Sequence, residues 1–187
     1  MVNKQNDIEL AKAASRGEAW ACRRLVADHA QRLLRLVSRL LPDTSEAEEV
    51  VQDSLLRALN RLDAFDGSRG SLATWLSTIA WRTALNHLRS HPRHQTLSFE
   101  ELHREEPSEE QLDEAFSSGQ PSRVEALVQA LSLLSAEERA LLSMRYTEEL
   151  SLDEIAAITE SDASALASRL YRIRKKLYNL ILKTEQR

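Results

Sequence analysis

One cysteine, four glycines and four prolines are all that 187 residues hold of the types that most often shape irregular chains. The lone Cys22 excludes an internal disulfide and fits a reducing compartment. So little Gly and Pro excludes a loop-rich or low-complexity chain. Aromatics are scarce too, at 5%, although apolar residues at 42% suffice for a core. No stretch reaches the length of an apolar membrane span, because Arg32, Arg35 and Arg39 interrupt the longest Leu/Val-rich run. The segment from Met1 to Lys12 lacks the apolar centre of a signal peptide. A soluble, cytoplasmic protein is expected, with one ordinary domain or two small ones.

Excess positive charge is also missing. Lys and Arg number 25 against 29 Asp and Glu, a net of −4. That excludes coating DNA through bulk charge. The charge is uneven, however. Residues 67–94 carry a net of +4 with no acid, and residues 163–187 a net of +6. Between them, residues 95–123 sum to −6 and residues 124–162 to −7. Two basic blocks separated by acidic sequence suit a protein that touches a polyanion at two places.

The periodicity is helical almost throughout. From Ile8 to Leu41 apolar residues recur three and four apart, ending at Pro42. From Thr44 to Leu62 the stripe Ala47, Val50, Val51, Leu55, Ala58, Leu59 and Leu62 marks one helix face. The loop Asp66–Gly70 follows, and Leu72 to Arg89 reads as another helix, stopped near Pro92. Residues 93–122, with Pro107, Gly119, Pro121 and eight acids, read as a flexible linker, in which Leu112, Ala115 and Phe116 could form a short helical turn or dock on a partner. A second helical unit is expected from about Val124. Ser135 with Glu138, and Ser151 with Glu154, have the spacing of capping boxes, predicting helices over 136–146 and 152–159. After a turn at Thr159–Asp162 comes a longer basic helix with the stripe Leu166, Leu170, Ile173, Leu177 and Leu180. Short helix, tight turn and longer basic helix make a helix-turn-helix candidate.

Three segments carry candidate chemistry. On the last helix Ser164, Ala165, Ser168, Arg169 and Arg172 project from the first half, where short side chains permit entry to a groove and Arg reaches bases or phosphates. Arg174, Lys175 and Lys176 suit backbone contacts, and a solvated basic face is the alternative. Residues 65–81 hold Phe65, Trp75 and Trp81, accompanied by Arg69, Arg82 and Arg89, which suits stacking on unpaired bases; the alternative is that the tryptophans are core. The 44–62 helix leaves Glu48, Glu49, Gln52, Asp53, Arg57 and Asn60 opposite its stripe, for a docking protein or for solvent. No His or Cys sits at ligand spacing on that helix, and no nucleophile is indicated. His87, His91 and His94 are too few and out of register for a metal, and no Gly-rich phosphate loop occurs, so no metal, cofactor or catalytic residue is expected.

Together these segments resemble the extracytoplasmic-function group (ECF, group 4) of bacterial RNA polymerase sigma factors, small members that keep only the second and fourth sigma domains. Glu46-Ala-Glu-Glu-Val-Val-Gln-Asp-Ser-Leu-Leu-Arg-Ala58 is similar to the core-polymerase-binding helix, D-A-E-D-x-V-Q-E-x-F-L-R-A. Phe65 to Arg89, with Thr74-Trp75-Leu76 and Ile79-Ala80, is similar to the promoter-melting segment. Leu133 to Arg139, Leu150 to Ala156 and Ser168 to Leu177 are similar to the fourth domain.

The resemblance implies an all-α protein in three parts: 1–92 as region 2, 93–122 as linker and 123–187 as region 4. It implies polymerase binding by Glu48, Glu49, Gln52, Asp53 and Arg57. It implies that the loop Gly67, Ser68, Arg69, Gly70 and Ser71 captures a base flipped from the −10 strand. Trp75, Arg82, Asn86 and Arg89 would then line the −10 element. Ser164, Ala165, Ser168, Arg169, Arg172, Lys175 and Lys176 would read the −35 element. The implied partners are core RNA polymerase, promoter DNA and, commonly in the family, an anti-sigma factor. The implied function is an alternative sigma factor that directs promoter-specific initiation. A stand-alone helix-turn-helix regulator and a sigma-like decoy for an anti-sigma factor are the alternatives. Four departures stand out. Arg82 occupies a usual Asn, Glu160 replaces the Gly of the turn L-G-I-S, Glu149 replaces the Gly of E-G-L-S, and Ala167 replaces the Lys of T-V-K-S-R. Weak DNA binding by the free protein is expected from its negative total.

Overall fold

The computed structural model describes residues 4–90 and 121–185, and every regular element among them is helical. The linker read at 93–122 lies outside the described residues except for Pro121 and Ser122, as do His91 and His94. Eight α-helices are described: α1 Lys4–Ser15, α2 Ala19–Leu40, α3 Thr44–Leu59, α4 Leu72–Ser90, α5 Pro121–Ser132, α6 Ala136–Tyr146, α7 Leu152–Thr159 and α8 Ala163–Glu185. A 3-10 turn, Leu62–Ala64, joins α3 to the loop before α4.

The run from Ile8 to Leu41 is two helices. Gly17, at φ 78°, ends α1 by donating its N–H to the Ala14 carbonyl at 2.9 Å, while Glu18 N–H reaches the Ala13 carbonyl at 3.2 Å. A left-handed glycine closing the last carbonyls is the ordinary C-terminal stop. The second unit starts three residues before the expected Val124, with Pro121 at the first helical position, where its missing N–H costs no helix bond.

Two cores result. Leu25, Leu33, Val37 and Leu40 of α2 pack with Val50 and Leu55 of α3 and Leu76, Ala80 and Trp81 of α4. Leu134, Leu141, Met144, Ile155 and Ile158 pack with the α8 stripe Leu166, Leu170, Ile173 and Leu177. Burial of each such side chain contributes about 1.5–3 kcal/mol before entropy is counted. The two units also touch: α6 lies against α2, and α7 against α4.

Candidate functional site

α3 is started by Asp43, whose carboxylate accepts from the backbone N–H groups of Ser45 at 2.9 Å and Glu46 at 3.1 Å. Its buried stripe, Ala47, Val50, Val51, Leu55 and Ala58, faces α2 and α4. That leaves Glu48, Glu49, Gln52 and Arg57 exposed and Asp53 half-buried. Arg57 donates to Asp53 at 2.9 Å, one turn away. Glu48, Glu49 and Gln52 rim an open groove of about 550 Å³ between α2 and α3, with Leu34 and Leu55 among its lining. A polar rim over apolar lining can receive a partner helix.

The loop before α4 is held from a distance. Asp66 accepts from Ser68 N–H at 2.9 Å, and the Ser68 hydrogen bonds hold its carboxyl below the usual carboxylate range. Ser71 Oγ accepts from Thr74 N–H at 3.1 Å and shares a 2.9 Å hydrogen bond with the Thr74 hydroxyl, capping α4. Across 65 residues, Asp7 of α1 accepts from Leu72 N–H at 2.9 Å. Ile8 lies directly over Gly67: a Cβ there would stand 2.6 Å from Ile8 Cγ1. Gly67 is therefore buried, and the outer rim of the loop is Ser68 and Arg69, both exposed. Asp7 and Ile8 were not among the site residues read from sequence; no local pattern points from α1 to a loop sixty residues on.

Along α4, Trp75, Thr78, Arg82, Asn86 and Arg89 share one face. Arg82, Asn86 and Arg89 are exposed. Trp75 is half-buried against Phe65, with ring centroids 5.8 Å apart and planes at 57°. Trp81 is 2% exposed, so it is core and offers no stacking surface. His87 lies 3.7 Å from Glu46 of α3, and no His, Cys, Asp and Glu grouping able to hold a metal occurs among the described residues.

The helix-turn-helix forms as its caps predict. Ser135 with Glu138 and Ser151 with Glu154 make complete capping boxes. Asp162 then caps α8, accepting from Ser164 N–H at 2.8 Å, Ala165 N–H at 3.2 Å and the Ser164 hydroxyl at 2.6 Å. These bonds, the Ser164 hydroxyl first, hold the Asp162 carboxyl below its ordinary value. Ser164, Ala165, Ser168 and Arg172 are exposed at the start of α8. Arg169 and Lys176 are turned inward to α6: Arg169 donates to Glu137 at 2.8 Å, and Lys176 to Glu138 at 2.9 Å. Burial pushes the Glu138 carboxyl up, but the Lys176 ammonium and the Ser135 bonds outweigh it and leave the group below its usual value. From sequence, Glu138 was readable only as half of a capping box; its second task depends on α6 and α8 packing together.

The two lost glycines keep a glycine's backbone. Glu149 has φ 54° and Glu160 φ 53°, and they are the non-glycine residues at positive φ among the described residues. The left-handed region costs a residue with a Cβ roughly 1–2 kcal/mol. Glu160 closes α7, its N–H bonded to the Ala156 carbonyl.

The comparisons with known proteins cover both units. The family model described as Sigma-70 region 2 matches residues 25–94, and that described as Sigma-70, region 4 matches residues 124–177. The chain is 27% identical over 183 residues to the RNA polymerase sigma-H factor of Pseudomonas aeruginosa, covering 95% of this chain and 94% of that protein. It is 29% identical over 187 residues to the ECF RNA polymerase sigma-E factor of Salmonella typhimurium, covering 97% of each. Its fold is similar to the sigma factor RpoE from Bartonella quintana, solved in complex with the anti-sigma factor NepR. The TM-score there is 0.57 at 23% identity, over 85% of this chain and 95% of that one.

Proposed function

We propose, for a chain that belongs to the sigma-70 family as an ECF-type alternative sigma factor directing transcription initiation, that three of its surfaces divide the work. Glu48, Glu49, Gln52, Asp53 and Arg57 dock on core RNA polymerase. The loop 67–71 and the α4 face Trp75, Arg82, Asn86 and Arg89 take the melted −10 strand, with Asp7 and Ile8 holding the loop. Ser164, Ala165, Ser168 and Arg172 enter the −35 groove, with Lys175 on the backbone, while Arg169 and Lys176 contribute after exchanging their acidic partners for phosphate. Residues 1–92, 93–122 and 123–187 are the working parts, and group 4 is the finer assignment.

Energetically, the −10 task is the demanding one. Unstacking DNA costs about 1.4 kcal/mol per step. A pocket that stacks and hydrogen-bonds a flipped base offsets part of that. The chain is assigned no catalytic step; the polymerase supplies the chemistry, in the cytoplasm. No described helix is long and apolar enough to cross a membrane. An anti-sigma factor, the class of partner named for the Bartonella relative, is proposed for this chain as well.

The observation that carries the reading is the groove between α2 and α3, rimmed by Glu48, Glu49 and Gln52. Pull-down of core polymerase by the full chain tests it. Gln52→Ala should weaken capture and Asp53→Arg should abolish most of it. Undiminished capture by both would reject this surface.

A further inference from the structure

Two of the four departures from the family pattern meet in space. Arg82, standing where the family has Asn, forms an ion pair with Glu160, standing where the family has Gly. One lies on α4 and the other closes α7, so the pair joins the two halves of the chain. Beside it, Thr78 of α4 donates its hydroxyl to the Ala157 carbonyl of α7 at 3.1 Å. Arg32 of α2 lies close enough to Glu154 of α7 to add to the Ser151 hydrogen bonds that lower that carboxyl. Glu154, Ala157 and Glu160 are three residues apart, along one side of α7. The end of the acidic block, α7 with its cap Glu160, is thus laid on α4 of the basic block, at the face already assigned to −10 DNA.

We propose that α7 acts as an internal stand-in for DNA on the α4 face, with Arg82 and Glu160 as a latch that keeps the free protein closed. The proposal rests on the assignment of α4 to the −10 strand, made above. The −10 and −35 elements lie about 25 base pairs apart, roughly 85 Å along B-DNA. A chain whose α7 touches α4 cannot place α8 at one and α4 at the other. The thirty residues from 91 to 120 can reach about 100 Å when fully extended, so the chain length permits separation. The strain at Glu160 fits the same account, since glycine would relieve it but would leave Arg82 without its acid.

Glu149 supplies an internal control. Its backbone is strained in the same way, yet nothing places it at the α4 contact. The test uses the full chain in a Cys22→Ser background, with donor and acceptor dyes on cysteines placed at exposed Asn60 and Ala167. Energy transfer reads the ratio of open to closed molecules. An exposed ion pair changes such a ratio by about two- to fivefold. Glu160→Gly should raise the open fraction by that factor and Glu160→Lys by more. Adding Arg82→Glu to Glu160→Lys should restore closure, and Glu149→Gly should leave the ratio unchanged. Binding of a single-stranded −10 oligonucleotide by free Glu160→Gly protein should tighten by the same factor. Identical ratios for Glu160→Gly and Glu149→Gly, or opening without tighter oligonucleotide binding, would overturn the proposal. Energy transfer needs neither polymerase nor promoter. A latch that behaves as expected in a chain that fails to initiate transcription would therefore sink the sigma-factor reading and leave the latch standing.

Discussion

Region 2 and region 4 hold the segments proposed to face DNA by different physics. In region 2 the loop 67–71 is fixed by a helix distant in sequence: Ile8 covers Gly67, and Asp7 caps α4 through Leu72. In region 4 helix α8 is fixed by charge and short-range caps: Ser135, Ser151 and Asp162 at helix starts, and Glu137 and Glu138 against Arg169 and Lys176. The first arrangement combines steric fit with carboxylate-to-backbone hydrogen bonds and, among the described residues, contains no ion pair for salt to screen. The second depends on carboxylates and responds to salt and acid. The proposed capture of one flipped base calls for a rigid frame, whereas the proposed entry of α8 into a groove allows acidic partners to be exchanged for phosphates.

The largest expected effect breaks the region 2 frame. Gly67→Ala drives a methyl into Ile8 and should cost about 1–3 kcal/mol, as overpacking does. Ile8→Ala in the same chain should recover much of it, and thermal unfolding of the two variants measures both. If the single substitution is silent, the frame is looser than the geometry indicates.

Region 4 should lose less per cap. Ser135→Ala and Ser151→Ala should each cost about 1 kcal/mol, read as a lower urea midpoint. Smaller still, and of opposite sign, Glu149→Gly should stabilise region 4 by up to about 1 kcal/mol through relief of its left-handed backbone. A lowered midpoint for that variant would show that Glu149 makes a compensating contact.

Acid sharpens the contrast. The folded-state carboxyls of Glu138, Glu154 and Asp162 lie below their unfolded values. Groups depressed in this way contribute stability above the unfolded carboxylate range, and the contribution is lost as the pH falls through the folded values. In region 2 the lowered carboxyls are Glu18 and Asp66; Glu154 and Asp162 are exposed as well, so the contrast rests on Glu138, half-buried against Lys176. On acidification, amide protection factors should therefore fall in residues 136–170 at a higher pH than in residues 25–58. Simultaneous loss of protection in both would remove the distinction.

What could be read in advance follows the range of each interaction. Helices, stripes and both capping boxes were legible because three- and four-residue spacing writes them locally. The break at Gly17 was not, because the apolar period continues in phase across it. The family resemblance supplied the ordered motifs and pointed to the departures at Arg82, Glu149 and Glu160. That two of these positions pair with each other needs α7 laid on α4, a contact spanning 79 residues at Thr78 and Ala157. The bracing by Asp7 and the inward turn of Arg169 and Lys176 are likewise products of packing. The charge blocks gave the outline of this, since the acidic stretch before α8 opposes the basic stretch around α4.

The central claim is that one chain, carried by core polymerase, touches a promoter at two separated places. Footprinting of the holoenzyme reconstituted on a promoter that supports run-off transcription tests it most directly. The account predicts protection in two patches about 25 base pairs apart, with the downstream patch lost on Arg89→Ala and the upstream patch lost on Arg172→Ala. A single protected patch, or two patches that respond together to either substitution, would contradict it.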